Sequence, residues 1–222
     1  KRQMDKLRLR FEKTGKAAYI SHLDLMRVVQ RIFLRAGTPL RYSEGFNPHA
    51  LISICLPLSV GAESVCELMD FRVKRDVDLA ALPGQLNATS PEGIRFLECY
   101  EPERRAALIK WLRVEGRFDY DNIPSEAVTE PLVGFFARDS IPVTRRTKRG
   151  EGVLELCGNV RDFTCTPVEG GVKVDCVISA QEPTANPELF VKALEQLSPE
   201  LKPDFAKFRR VELYDADMNL FR

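Results

Sequence analysis

The chain has only two imidazoles, His22 and His49, and both fall in the stretch with the richest polar chemistry, Tyr19 to His49. His22 follows Ser21 and precedes Asp24 and Arg27 at the start of a helical pattern. The partial positive charge of a helix N-terminus holds an imidazole neutral there, fit to act as a base or a hydrogen-bond partner. On that reading His22 and Asp24 are candidates for acid/base catalysis. On the plainer one, His22 merely occupies the first helical turn while Asp24 helps to cap it. His49 closes the segment Tyr42-Ser43-Glu44-Gly45-Phe46-Asn47-Pro48-His49, which combines hydroxyls, a carboxylate, an amide and an imidazole with the backbone-shaping Gly45 and Pro48. His49 is the third catalytic candidate, and Tyr42, Ser43, Glu44, Asn47 and His49 are candidates for binding RNA or a partner. A solvated turn that needs glycine and proline is the alternative. The two histidines share a pocket only if residues 40–44 run back along the sheet before the loop begins.

Positive charge is the second resource. Arg27, Arg31 and Arg35 recur every fourth residue and form a ridge on one helix face. Arg145, Arg146, Lys148 and Arg149 cluster on an expected hairpin tip. Either group can contact phosphates, although such a run is also what a solvated tip looks like. Phe163, Phe208 and Tyr214 would stack bases if they lay on an open sheet face, and would otherwise pack in the core. The whole chain, with 33 basic and 32 acidic residues, carries a formal charge of only +1. Its first fifty residues hold eleven lysines and arginines against four acids, and that local excess points to an anionic partner.

Other chemistry is missing from the sequence. There is no phosphate-binding glycine loop, no H-E-x-x-H and no nucleophile elbow, and no triplet of cysteines spaced for an iron–sulfur cluster. Cysteines 55, 66, 99, 157, 165 and 176 have no metal-ligand spacing and read as small hydrophobes of a reducing cytosol. No metal and no cofactor is therefore expected, and no apolar run reaches membrane-spanning length. The chain opens Lys1-Arg2-Gln3-Met4, where Met4 is a candidate natural start.

The elements that must position these groups follow from periodicity. Leu7, Leu9 and Phe11 alternate with charged residues as a half-buried strand. Ser21 and Asp24 fit a capping box. Leu25, Met26, Val29, Ile32, Phe33 and Ala36 form the apolar stripe of the following helix, which Gly37 and Pro39 end. Residues 51–56 are apolar nearly throughout and suggest a central strand. Strands at 67–74 and 94–100 flank a short helix at 78–86 interrupted by Pro83-Gly84. The order is β-α-β-β-α-β, the ferredoxin-like plan. A second pass repeats it: a strand at 112–120 with Gly116 as a bulge, a helix from Ser125, a hairpin around residues 145–150, and another at 163–179. A helix at 187–197 and a last strand at 205–214 complete it. The fold class is α+β with tandem ferredoxin-like modules, residues 1–103 and 104–222. A two-residue turn at Gly170-Gly171 would set Cys165 opposite Cys176, two reduced neighbours.

Residues 7–15 (LRLRFEKTG), residues 20–27 (ISHLDLMR), Tyr42 to His49 and Leu56-Pro57-Leu58-Ser59-Val60-Gly61 resemble the radical-SAM-linked, or radical-SAM-associated, proteins. That family is a bacterial domain of unknown function, found fused to a radical S-adenosylmethionine domain or separate from one. The resemblance covers about the first 70 residues well and the rest in outline, and it implies a cytoplasmic partner of a radical enzyme. Lacking cluster-binding cysteines, the chain resembles the stand-alone form. A looser similarity, at the level of fold, is to CRISPR repeat-cleaving endoribonucleases. The expectation is an RNA-binding or substrate-presenting accessory of a radical-SAM enzyme acting on tRNA or rRNA. The alternatives are a metal-independent endoribonuclease or RNA-modifying enzyme using His22 or His49, and a pure protein adaptor.

Overall fold

The computed structural model describes residues 6–147 and 150–222. The chain is α+β and divides into two compact units, one running to Ala106 and taking in Arg222, the other Ala107–Phe221. In the first unit the elements are β1 (Leu7–Lys13), α1 (His22–Arg35), β2 (Ile52–Ile54), β3 (Glu63–Phe71), α2 (Leu82–Asn87) and β4 (Ile94–Tyr100). β1 lies between β4 and β3, and β2 pairs with β3, every pairing antiparallel.

α1 begins and ends where the sequence indicates. Ser21 Oγ accepts the Asp24 N–H at 3.1 Å. Asp24 does not return the favour to the Ser21 backbone as a full capping box would; its carboxylate accepts from the Ser21 hydroxyl (2.8 Å) and from Arg27 (2.9 Å). At the other end Gly37, at φ +69°, allows the Thr38 N–H to reach Phe33 O and its own N–H to reach Leu34 O, a Schellman closure. Leu25, Val29, Ile32 and Phe33 bury their side chains against Leu7, Leu9, Phe11 and Phe71 of the sheet, each contributing about 1.5–3 kcal/mol by removal from water.

Three expectations for this unit change. The strand at 51–56 is only three residues long and pairs with β3 alone, so it is peripheral rather than central. Its apolar run reflects contacts with the helix layer, where Ala50 and Ile54 are buried, rather than burial on both faces. Pro83 stands in the first turn of α2 instead of interrupting it, with the Asp78 carboxylate accepting the N–H groups of Ala80 and Ala81 just ahead. Arg8, assigned by alternation to a solvated face, is completely buried. It faces its register partner Asp70, with Nε donating to Oδ1 at 2.6 Å and Nη2 to Oδ2 at 3.1 Å.

The second unit contains β5 (Trp111–Asp119), α3 (Ser125–Phe136), β6 (Pro142–Thr147), β7 (Gly150–Glu155), β8 (Val160–Val168), β9 (Gly171–Ser179), α4 (Glu188–Leu197) and β10 (Phe205–Tyr214). Its sheet runs β10-β5-β9-β8, all antiparallel, while β6 and β7 form a separate hairpin. Gly116 is not a bulge, since β5 pairs with β9 without a break. It is small because a Cβ there would stand 2.9 Å from the Phe208 ring. The β8–β9 turn is Glu169-Gly170, with Val168 opposite Gly171. Gly170 supplies the positive φ of +71°, whereas Gly171 is needed because a Cβ there would lie 2.1 Å from Phe118 O. This register puts Val174, not Cys176, opposite Cys165, and all six cysteines are free thiols.

Asp70 also takes the Lys6 ammonium at 2.8 Å. Burial pushes its carboxyl up, but the hydrogen bonds from Arg8 and Lys6 outweigh it and hold the group below the usual carboxylate value. Its stabilisation is therefore complete above the ordinary pKa of about 4 and disappears as the pH falls through the lowered folded value. Asp70→Asn leaves a buried guanidinium uncompensated and should cost about 3–5 kcal/mol at neutral pH. Denaturant titrations at a series of acidic pH values should also show a shallower loss of stability than in the parent. Equal stability at neutral pH would contradict this role.

Candidate functional site

The segment Tyr42 to His49 is a closed hairpin, and Ser43 is its clasp. The Ser43 N–H donates to His49 O (2.9 Å), and the His49 N–H donates to Ser43 Oγ (3.1 Å). The same Oγ lies 2.9 Å from His49 Nδ1. With Oγ already accepting from the backbone, its own proton is available to Nδ1, which favours the tautomer with hydrogen on Nε2. Tyr42 and Ala50 form the bridge below the clasp. Glu44, Gly45, Phe46, Asn47, Pro48 and His49 are all exposed.

The topology separates this hairpin from His22. After α1 the chain does run back beside residues 72–74, just past the end of β3, with Lys74 N donating to Pro39 O and Arg41 N to Arg72 O. It leaves the sheet at once, because Arg41 O accepts from Leu51 N and Leu51 O from Arg72 N. The hairpin thus departs at the level of Arg72. α1 begins at the opposite end of the sheet, where Lys13, paired with Ser64, donates from Nζ to the carbonyls of Ala18 and Ile20. Eight strand residues from Ser64 to Arg72, at a rise of about 3.3 Å, put roughly 26 Å between the two anchor points. His22 and His49 belong to two sites.

At the α1 end, His22 is exposed and its ring makes no hydrogen bond to the described residues. The hydroxyl of Ser21 and the Arg27 guanidinium hold the Asp24 carboxyl below its usual range, so it is ionised at neutral pH beside the Ser21 cap. Arg27 is committed to Asp24, while Arg31 and Arg35 are exposed along the helix.

In the second unit β6 is held in place at Thr144 and Arg145. The Gln196 amide makes two hydrogen bonds with the backbone of Thr144, accepting from N–H at 3.0 Å and donating to C=O at 3.1 Å, as a neighbouring strand would. Arg145 Nη1 donates to Thr184 O at 3.0 Å. The result is a cavity of about 470 Å³ lined by Arg145 and Arg146 of β6, Glu188, Lys192 and Glu195 of α4, and Lys202. Lys202 is paired with Glu195 at 2.5 Å. Lys148 and Arg149 lie outside the described residues. Lys192 and Lys202 had no sequence signal to mark them, since only the docking of the hairpin on α4 brings them beside the arginines. Phe163 and Phe208 are not base platforms: Phe163 stacks on Phe136 at 4.2 Å, and Phe208 packs against Phe118 and Phe190.

Among the described residues no group of three histidine, cysteine or acidic side chains could hold a metal ion, and no helix is long and apolar enough to cross a membrane.

The family described as "Uncharacterized protein conserved in bacteria (DUF2344)" matches residues 6–187, and the chain belongs to it. No curated protein matches the chain. Among solved structures, the encapsulated DyP-type peroxidase from Mycobacterium smegmatis aligns over 94% of this chain and 91% of its own, at 8% identity. The TM-score is 0.21, too low for a shared fold, and nothing is carried over from it.

Removing the amide clamp should release the hairpin without unfolding the unit. In Gln196→Ala, hydrogen exchange at the Thr144 amide should speed up by at least an order of magnitude, as expected where about 1.4 kcal/mol of local protection is lost. The β5 and β9 amides should be unchanged. Unaltered exchange at Thr144 would mean that β6 is held by other contacts.

Proposed function

We propose that this DUF2344 member is an RNA-binding, substrate-presenting partner of a radical-SAM enzyme, working in the cytoplasm on tRNA or rRNA. The observation that carries the RNA half is the pinned β6–β7 hairpin, which sets Arg145 and Arg146 beside Lys192 and Lys202 in one cavity. Four cations against Glu188 and Glu195 leave a positive site of a size suited to backbone phosphates. The exposed Arg31 and Arg35 of α1 offer a second phosphate-contacting surface. The radical-SAM half rests on the resemblance of residues 7–61; these residues carry no cluster-binding cysteine triplet, so the radical chemistry would come from another domain or subunit. We further read each unit as a ferredoxin-like module. Strand orders β4-β1-β3-β2 and β10-β5-β9-β8 support this, with the β6–β7 hairpin inserted after α3 of the second.

A second reading is favoured by one contact, the Ser43 hydroxyl 2.9 Å from His49 Nδ1. A hydroxyl on Nδ1 orients the imidazole and leaves Nε2 for acid/base work, as a metal-independent ribonuclease that uses the RNA's own 2′-hydroxyl as nucleophile and expels the 5′-oxygen would need. Against it, the same hydroxyl accepts the His49 N–H and closes the loop, so a structural duty already accounts for it. Turnover of RNA in EDTA, abolished by His49→Ala or His22→Ala, would establish the enzymatic reading.

Gel-shift titrations with total tRNA over a salt series test the binding reading. Log affinity should fall linearly with log salt. Arg146→Ala and Lys192→Ala should each weaken binding to all RNAs alike and reduce the salt slope by about one. Absence of binding at low salt, or binding indifferent to salt, would overturn it.

A further inference from the structure

Phe46 stands at the tip of the Tyr42–Ala50 hairpin, and its exposure is 106% of its reference area, so the ring is in contact with essentially nothing in the protein. A phenyl ring held entirely in water is an odd use of an aromatic residue on a loop whose fold does not need it. The loop is not a loose one. The Ser43–His49 clasp closes it with three contacts of 2.9–3.1 Å, and Gly45, at φ +122°, takes a backbone conformation that glycine alone adopts freely. The ring is therefore presented on a shaped support.

What surrounds it decides the kind of partner. Glu44, Asn47 and His49 are exposed and polar and bring hydrogen-bonding groups to the same hairpin, whose other exposed apolar surface is that of Pro48 and, at the base, Tyr42. An aromatic anchor for a protein pocket is normally flanked by other apolar contacts that exclude water. A nucleobase instead offers one flat π face edged by donors and acceptors, which matches a fully exposed ring with an amide next to it in the chain and a carboxylate two residues before. We infer that Phe46 is a base-stacking residue that takes an unpaired nucleobase on its face, with Asn47 and Glu44 supplying hydrogen bonds to the base edges. This rests on the RNA-binding reading and adds its recognition element: the ligand is single-stranded or looped RNA, because a base inside a duplex has no free face.

The test uses the full chain and a short single-stranded RNA carrying a fluorescent adenine analogue, alongside the same strand annealed into a duplex. The wild type should quench the analogue in the single strand and not in the duplex. Phe46→Ala should abolish the quenching and weaken single-strand binding roughly 5- to 150-fold, the range of one lost base–aromatic stack. Phe46→Trp should restore both, and Phe46→Leu, apolar but without a π face, should not. If the wild type binds tRNA with the expected salt dependence and Phe46→Ala is indistinguishable from it in quenching and affinity, the stacking role is wrong while the RNA reading stands. If Phe46→Ala keeps its RNA affinity but loses co-purification with a radical-SAM enzyme, the residue is a protein anchor and the stacking role is likewise wrong. If the wild type binds no RNA at any salt, both readings fail together.

Discussion

The constraint on which the first unit depends is the buried pairing of Arg8 with Asp70. A completely buried guanidinium is tolerable only beside a carboxylate in good geometry, and these two are direct cross-strand partners. A slip of one residue between β1 and β3 would remove Arg8 from its carboxylate and also turn Leu7, Leu9 and Phe11 away from α1. The ion pair and the hydrophobic face thus demand the same register, and the cost of leaving the cation alone penalises every alternative. Burial and the nearby Asp70 charge push the half-buried Cys55 thiol up to about 12. It is a packing residue, not a reactive one.

Side-chain amides finish what the sheets leave open. Asn87, at the end of α2, makes the same two-hydrogen-bond contact with the backbone of Phe96 in β4 (2.7 and 2.8 Å) that Gln196 makes with Thr144. Each occupies one N–H and C=O pair that an intruding strand would otherwise use. In the second unit this has a chemical consequence, since it orients a basic hairpin against a helix that carries cations of its own. Position is the scarce quantity here, because arginines on a free hairpin would have charge but no geometry.

Local patterns carried the reading of the sequence as far as local physics reaches. α1 was legible because its cap, its stripe and its glycine stop all lie within seventeen residues, from Ser21 to Gly37. α3 and α4 were legible from their apolar stripes alone, since neither has a side-chain cap and Ser125 donates to Val168 O instead of capping α3. The errors came where a distant residue decides. Alternation assigned Arg8 to water, and only the long-range pairing with Asp70 reverses it. The Gly170-Gly171 pair was placed one residue too late because the close approach of Phe118 O, which forbids a Cβ at Gly171, has no local signature. The cluster at Arg145 was visible as charge, but its neighbours Lys192 and Lys202 depend on a clamp between β6 and α4. Phe46 has no signature of its own in the sequence, because composition cannot distinguish an aromatic held in water from one folded under.

The hairpin around Phe46 is better described as an insertion than as a connection. Sixteen residues separate Arg35 of α1 from Ile52 of β2, where helix-to-strand links of this kind need about 2–6. The extra chain does not wander. Residues 39–41 pair with residues 72–74 just past β3, the loop leaves at Arg72, and Leu51 rejoins at that same residue, so the ends are as close as two strand residues can be. Loop closure costs only about 0.6 kcal/mol for each doubling of length, and so an excursion with its ends already paired is cheap for the fold. The strand that follows it, β2, is only three residues long. A protein needing only to connect α1 to β2 would gain nothing from a clasped, glycine-shaped tip bearing an exposed ring. The folding energetics permit that tip without requiring it, which is why its residues are better explained by what they meet outside the chain.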